Sequence, residues 1–209
     1  SVVMQEQVSA EGDSITFNTA CKRGQNIRLV GEDIRQGAVV LAQGQRISAA
    51  EMGLLASLGF AEISVFRKLK IAIFSTGNEL VQPGNALAGG QIYDSNRFTL
   101  VGLLTELGAE ILDMGNIRDD KDAVRTALQK ASSQADVIIT SGGVSVGDAD
   151  YIKELLDELG EVVFWKLAMK PGRPLAYGKV GHCHFFGLPG NPVAVMVTFL
   201  QFVRNALWE

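Results

Sequence analysis

Cysteine, histidine and tryptophan are scarce in this chain, with two of each among 209 residues. Cys21 and Cys183 are too few for a disulfide framework or a four-ligand zinc site, and only His182 and His184 stand beside one of them. Both thiols are expected to be buried, in a reducing, cytoplasmic setting. Neither sign of charge dominates: 19 basic residues face 23 acidic ones, for a net charge of −4. That argues against a nucleic-acid partner, which would need a basic face. Long apolar runs are also missing. Residues 181–203 lack Lys, Arg, Asp and Glu, but Gly187, Pro189, Gly190, Asn191 and Pro192 break the stretch. What remains is a buried helix, not a membrane span. No basic segment followed by a long apolar one opens the chain, so no signal peptide is expected. The opening Val2, Val3 and Met4 reads instead as the middle of a strand, which suggests a fragment of a longer protein.

What is present is an ordinary globular composition, 47% hydrophobic and 20% charged. It argues against disorder and coiled coil. Residues 1–36 are β-like and turn-rich, the remnant of a β-rich domain. Residues 37–68 read as a small strand-helix-strand element: Val39 to Leu41 and Ile63 to Phe66 are the strands. Between them Ser48 and Glu51 form a capping box for a helix lined by Met52, Leu55 and Leu58. From residue 69 the alternation becomes regular. Strands at 69–74, 109–114 and 136–140 are each followed by a helix with apolar residues at the 3, 4 and 7 spacing. Strands at 162–169, 174–178 and 184–187 and a last helix after Pro192 complete the set. Near-continuous apolar strands alternating with helices define an α/β fold, a doubly wound and mostly parallel sheet covered on both faces.

Ligands of such sheets bind beyond the carboxyl ends of the strands. The loop 141–147 (SGGVSVG) offers Ser141, Gly142, Gly143, Ser145 and Gly147 either as a phosphate cradle or as a tight strand-to-helix turn. Glu79, Asp119, Asp120, Asp148 and Asp150 bring carboxylates to the same end. Asp120 and Asp148 read as helix caps, whereas Asp119 and Asp150 are better candidates to hold Mg²⁺ against substrate phosphate. On a strand through 162–169, Lys166 and Lys170 would project from one face, with Arg173 held between Pro171 and Pro174. Such cations need carboxylates or a bound anion. In the loop 187–192 (GLPGNP), Pro189, Gly190, Asn191 and Pro192 precede a helix whose free first-turn amides favour an anion. His182 and His184 read as surface or satisfied residues.

Taken together, GEDI (31–34), STGNEL (75–80), QIYDSN (91–96), IRDD (117–120), SGGVSVGDADY (141–151), WKLAMKPGRP (165–174) and GLPGNP (187–192) resemble the MoeA family of molybdopterin molybdenumtransferases. Its eukaryotic relatives include the E domain of gephyrin. The resemblance covers essentially the whole chain and implies a molybdopterin-binding α/β domain at 69–209. It also implies Mg²⁺-assisted insertion of molybdate into adenylated molybdopterin with release of AMP, by a homodimer. A molybdopterin adenylyltransferase would be the pathway neighbour, and neither nucleic acid nor membrane is expected as a partner. By motif, Glu79, Asp119, Asp150, Lys166 and Lys170 match family active-site positions. Pro189 and Pro192 match a proline loop, and Asp33 in GEDI matches a further acidic position. Asn78, Arg173 and Ala194 depart from the residues usual there, Asp, Lys and Ser. The family pattern extends beyond this chain at several points, so the fragment alone is expected to be inactive. An adenylyltransferase with the same core domain, or a scaffold module like gephyrin, is the alternative.

Overall fold

The computed structural model describes residues 1–143, 150–164 and 166–208, with the side chains of Asp150, Tyr151 and Phe164 outside the description. The chain divides into two compact units, Ser1–Phe66 and Arg67–Glu209.

In the first unit, β1 (Val8–Glu11) and β2 (Ser14–Phe17) pair antiparallel. The helix α1 (Ala49–Ser57) starts where the capping box places it, the Glu51 carboxylate accepting from the Ser48 N–H at 2.8 Å. The strands expected on either side of it, at 39–41 and 63–66, are absent, and so is one at 2–4. Apolar composition alone does not make a strand: each segment lacks a neighbouring strand to take its backbone hydrogen bonds. No residue of this unit is buried. Cys21 is exposed as well, against expectation, because the hairpin beside it has no covering layer.

The second unit is built on β3 (Lys70–Thr76), β6 (Glu110–Ile117), β7 (Val137–Ser141), β8 (Gly160–Phe164), β9 (Ala176–Val180) and β10 (Cys183–Leu188), in the spatial order β6-β3-β7-β10-β9-β8. The four strands β6, β3, β7 and β10 run parallel, and β9 is antiparallel to both neighbours. Two short strands, β4 (Leu80–Val81) and β5 (Ile92–Tyr93), pair beside it. The period of two in β3 explains the layering. Ala72 and Phe74 pack with Val124, Leu128, Ile152 and Leu155 of α3 (Lys121–Gln134) and α4 (Asp150–Leu159). On the other face, Ile71 and Ile73 pack with Leu100 and Leu104 of α2 (Ser95–Glu106) and with Val195 of α5 (Pro192–Thr198). Three of these helices begin at a polar cap: for α2 Asp94 accepts from the Arg97 N–H, for α3 Asp120 from Asp122 and Ala123, and for α5 Asn191 from Val193 and Ala194. Among the described residues, no helix is long and apolar enough to cross a membrane.

One expectation fails at the sheet edge. The strand anticipated to continue through 169 stops at Phe164. Residues 166–170 are irregular, and the Leu167 N–H donates to Arg173 O at 2.8 Å, so the chain turns back on itself instead of extending. Lys166 and Lys170 therefore do not share a strand face. The register against β9 is already shifted between Val162 and Phe164, and an alternating composition does not by itself carry a strand past the point where its ladder ends.

Candidate active site

The carboxyl ends of β3, β7 and β10 open onto a cleft of about 530 Å³. It is lined from β3 and its loop by Thr76, Gly77 and Glu79, after β6 by Asp119, and after β7 by Gly142 and Gly143. The loop 169–174 contributes Lys170 and Arg173, and the loop after β10 contributes Pro189, Gly190 and Asn191. Carboxylates and cations that are far apart in sequence thus meet in one depression, at the end of the sheet where the topology places ligand sites.

Close packing shapes this cleft. Gly142 and Gly143 both have positive φ, and a Cβ on Gly143 would lie 2.5 Å from Ile152 Cδ1 and 2.6 Å from Thr76 Oγ1. The glycine is therefore needed for the fit of strand end to helix as well as for backbone freedom. Thr76 Oγ1 is buried and has no hydrogen-bond partner among the described residues. The 187–192 loop is held by the Asn96 amide, which donates to Gly190 O at 2.8 Å. Asn191 accepts from the N–H groups of Val193 and Ala194, at 3.0 and 3.3 Å. Those first-turn amides are therefore already satisfied by the chain's own cap, and are not the free donors expected from sequence.

Around the acidic side the hydrogen bonds are dense. Asp94 is buried and accepts from the Ser75 hydroxyl at 2.5 Å and from Arg97 Nε at 3.0 Å. Arg97 Nη1 reaches Asp113 at 2.5 Å. Burial works against the Arg97 charge, but Asp113 and Asp94 outweigh it and hold the guanidinium pKa above its ordinary value. The Asn116 amide donates to Gly77 O and Leu80 O, and Asn78 Oδ1 accepts from the Asp119 N–H at 3.3 Å.

The structure brings Glu79, Asp119, Lys170, Gly142, Gly143, Pro189, Gly190 and Asn191 together. Lys166 is exposed and is not among the lining residues; nor is Ser141, which is buried in β7, or Pro192, which is the first residue of α5. Asp33 lies in the first unit, paired with Arg28 at 2.7 Å. Ser145, Gly147 and Asp148 lie outside the described residues, as does the Asp150 side chain. Asp120 is the cap it was expected to be. His184 is satisfied by the Tyr177 hydroxyl at 2.8 Å. Sequence reasoning left Arg173, Thr76 and the Ser75–Asp94–Arg97–Asn116 group out of the site. For Arg173 a signal existed, a cation fixed between two prolines. Ser75, Thr76 and Asp94 lie within the motifs STGNEL and QIYDSN, but the contacts that join Ser75, Asp94 and Asn116 span 19 and 41 residues, which no local pattern names.

The fold and site define the class of α/β domains with a mixed-charge cleft at the carboxyl ends of their parallel strands, and comparison with known proteins narrows it. The chain belongs to the family of the probable molybdopterin binding domain, which matches residues 72–208. Its particular branch is MoeA, since residues 1–59 match the MoeA N-terminal region (domain I and II). The molybdopterin molybdenumtransferase of Haemophilus influenzae is 51% identical over 98% of this chain and 51% of its own length. Gephyrin of Dictyostelium discoideum is 36% identical over 99% of this chain and 33% of its own. A crystal structure of a molybdopterin biosynthesis MoeA protein from Pyrococcus horikoshii matches with a TM-score of 0.78 at 36% identity, over 99% of this chain and 52% of that one. A molybdenum cofactor biosynthesis protein B (TM-score 0.51, 17% identity) covers 68% of this chain and 94% of that one and shares the α/β fold. The chain spans about half the length of the curated relatives it matches.

Proposed function

We propose that this chain carries the substrate cleft of a molybdopterin molybdenumtransferase, which inserts molybdate into adenylated molybdopterin and releases AMP. The observation that supports it best is the meeting of Glu79 and Asp119 with Lys170 and Arg173 in one cleft beside the glycine turn 142–143. A phosphoanhydride and a metal oxyanion are both anionic, and neither carboxylates nor cations alone would serve them. On this reading Lys170 and Arg173 stabilise charge developing on the leaving phosphate, and the backbone at 142–143 and the 187–192 loop orients the substrate. Asp33, Lys166, Ser141, Ser145, Gly147 and Pro192 belong to the same proposal by motif.

The donor set at Glu79 and Asp119, hard carboxylate oxygens on adjoining loops, fits Mg²⁺, with Asp150 as the third carboxylate of the proposal. Bound there, Mg²⁺ would supply Lewis-acid polarisation of a phosphoryl oxygen. The buried Thr76 hydroxyl at the same cleft is a further polar group suited to a bound oxyanion. We further infer a cytoplasmic homodimer that receives its adenylated substrate from a molybdopterin adenylyltransferase.

The test uses the full-length protein with adenylated molybdopterin and Mg²⁺, measuring AMP with and without molybdate. Molybdate-dependent release is expected. If none occurs, and adenylated product forms instead from molybdopterin and ATP, the adenylyltransferase reading replaces this one. Asp150→Ala is expected to abolish the metal-dependent release, and unchanged release would remove Asp150 from the assignment.

A further inference from the structure

Two amide side chains tie together the loops that carry the acidic residues of the cleft. In the pairing of β3 with β6, the register runs Ile73 opposite Asp113 and then Ser75 opposite Asn116, so β6 carries an extra residue at this point. Gly115 takes up that bulge with φ +79°, and its N–H donates to Asp113 Oδ1 at 2.9 Å. Bulges of this kind re-aim the side chain that follows. Here the following residue is Asn116. Its Nδ2 donates to Gly77 O at 3.0 Å and to Leu80 O at 3.2 Å, the two ends of the turn that bears Glu79. Two carbonyl acceptors fix which way the amide points, since its oxygen offers them nothing. Within the same turn, Asn78 Oδ1 accepts from the Asp119 N–H.

We propose that Asn116, seconded by Asn78, is a positioning residue that sets the spacing of the Glu79 and Asp119 carboxylates. The inference rests on the reading of those two groups as the cation-holding side of the cleft. Position 78 then has a job as an amide. Its oxygen accepts a backbone N–H from the neighbouring acidic loop, which leaves cation binding to residues 79 and 119. Neither amide would touch the substrate. Both would act by narrowing the range of positions open to the carboxylates, as groups behind metal ligands commonly do.

The test separates the clamp from the function. In the full-length protein, Asn116→Asp and Asn116→Leu remove the two donated hydrogen bonds. Asn116 is itself exposed at the residue level, so the core is untouched. Amide hydrogen exchange is expected to quicken by about tenfold at residues 77–80 and at the Asp119 N–H in both variants, with the rest of the sheet unchanged. Mn²⁺ titration, as a probe of the cation site, is expected to show affinity falling about tenfold, while the KM for substrate at saturating metal stays within twofold. Unchanged exchange at 77–80 and at Asp119 would overturn the clamp whatever the metal data show. Quickened exchange with unaltered Mn²⁺ affinity would overturn the positioning role. Glu79→Gln separates the two failures: if that variant also binds Mn²⁺ as the parent does, the reading of Glu79 as a cation ligand has failed, and the inference falls with it.

Discussion

At the residue scale, the second unit commits charge to its interior, and the consequences are sharp there. Arg97 and Asp94 are both buried, with side-chain exposures of 7% and 1%. Removing the guanidinium leaves the Asp94 carboxylate with the Ser75 hydroxyl and one helix N–H as donors but with no facing cation, in a poorly solvated place. Arg97→Met is therefore expected to cost about 3–5 kcal/mol, read from urea unfolding. Arg97→Met combined with Asp94→Asn should cost less than the single change. A double variant that loses the sum of both single effects would show that the pair is not coupled. Asp136 offers a contrast near the surface. The Arg67 guanidinium donates to both its oxygens at 2.6 Å, and the Lys70 N–H adds a third bond, holding the carboxyl pKa down to about 2. A carboxyl depressed in the folded state stabilises above its unfolded pKa, near 3.8, and loses that contribution as pH falls toward 2. Because Arg67 is two-thirds exposed, solvent screening reduces the effect to about 1 kcal/mol. Asp136→Asn should be less stable by that amount at pH 7. The difference should close between pH 4 and pH 2 in urea titrations, and a gap that persists at pH 2 would contradict the pairing as its cause.

Among the elements, helix α3 shows how much was legible in the sequence. Its Asp120 cap and the apolar residues Val124, Ala127, Leu128 and Ala131 could be read from spacing alone, and all four are buried in one cluster. Leu128→Ala is expected to cost about 2–5 kcal/mol by opening a cavity, and Asp120→Ala about 1 kcal/mol by freeing two amides. Thermal unfolding of the two variants checks that order, which reverses if capping outweighs packing here. The regular βα repeats were legible because each strand and helix carries its own periodicity. The 162–169 segment was not, because its alternation continued in composition after the strand had ended at Phe164. The lysine face derived from it failed for that reason. The bulge at Gly115 and the amides it aims were also illegible. Register between strands depends on partners that no local pattern names. Within the cleft, Glu79 and Asp119 could be anticipated from loops at strand ends, while Lys170 was read from a strand face that does not exist and reaches the cleft, with Arg173, from the loop 169–174.

On the scale of the whole molecule, the two units differ in what holds each together. Arg67–Glu209 carries two hydrophobic clusters, one on each face of its sheet, with Phe74, Leu128, Ile138 and Phe199 almost fully buried. Ser1–Phe66 has no buried residue, and Phe17, Val30, Val39, Met52 and Phe66 all stand exposed by half or more. Fixing each residue of a backbone costs about 1–2 kcal/mol, and buried apolar area is the main term that offsets it. A two-stranded hairpin and one short helix without a core cannot meet that cost. Residues 67–209 produced alone are therefore expected to unfold in a single cooperative transition followed by circular dichroism, with protected amides in β3 and β7. Residues 1–66 alone should show no cooperative transition and exchange their amides at nearly free rates. A cooperative melt of the isolated 1–66 segment would refute this, since its stability would then have to arise from interactions other than apolar burial within the unit.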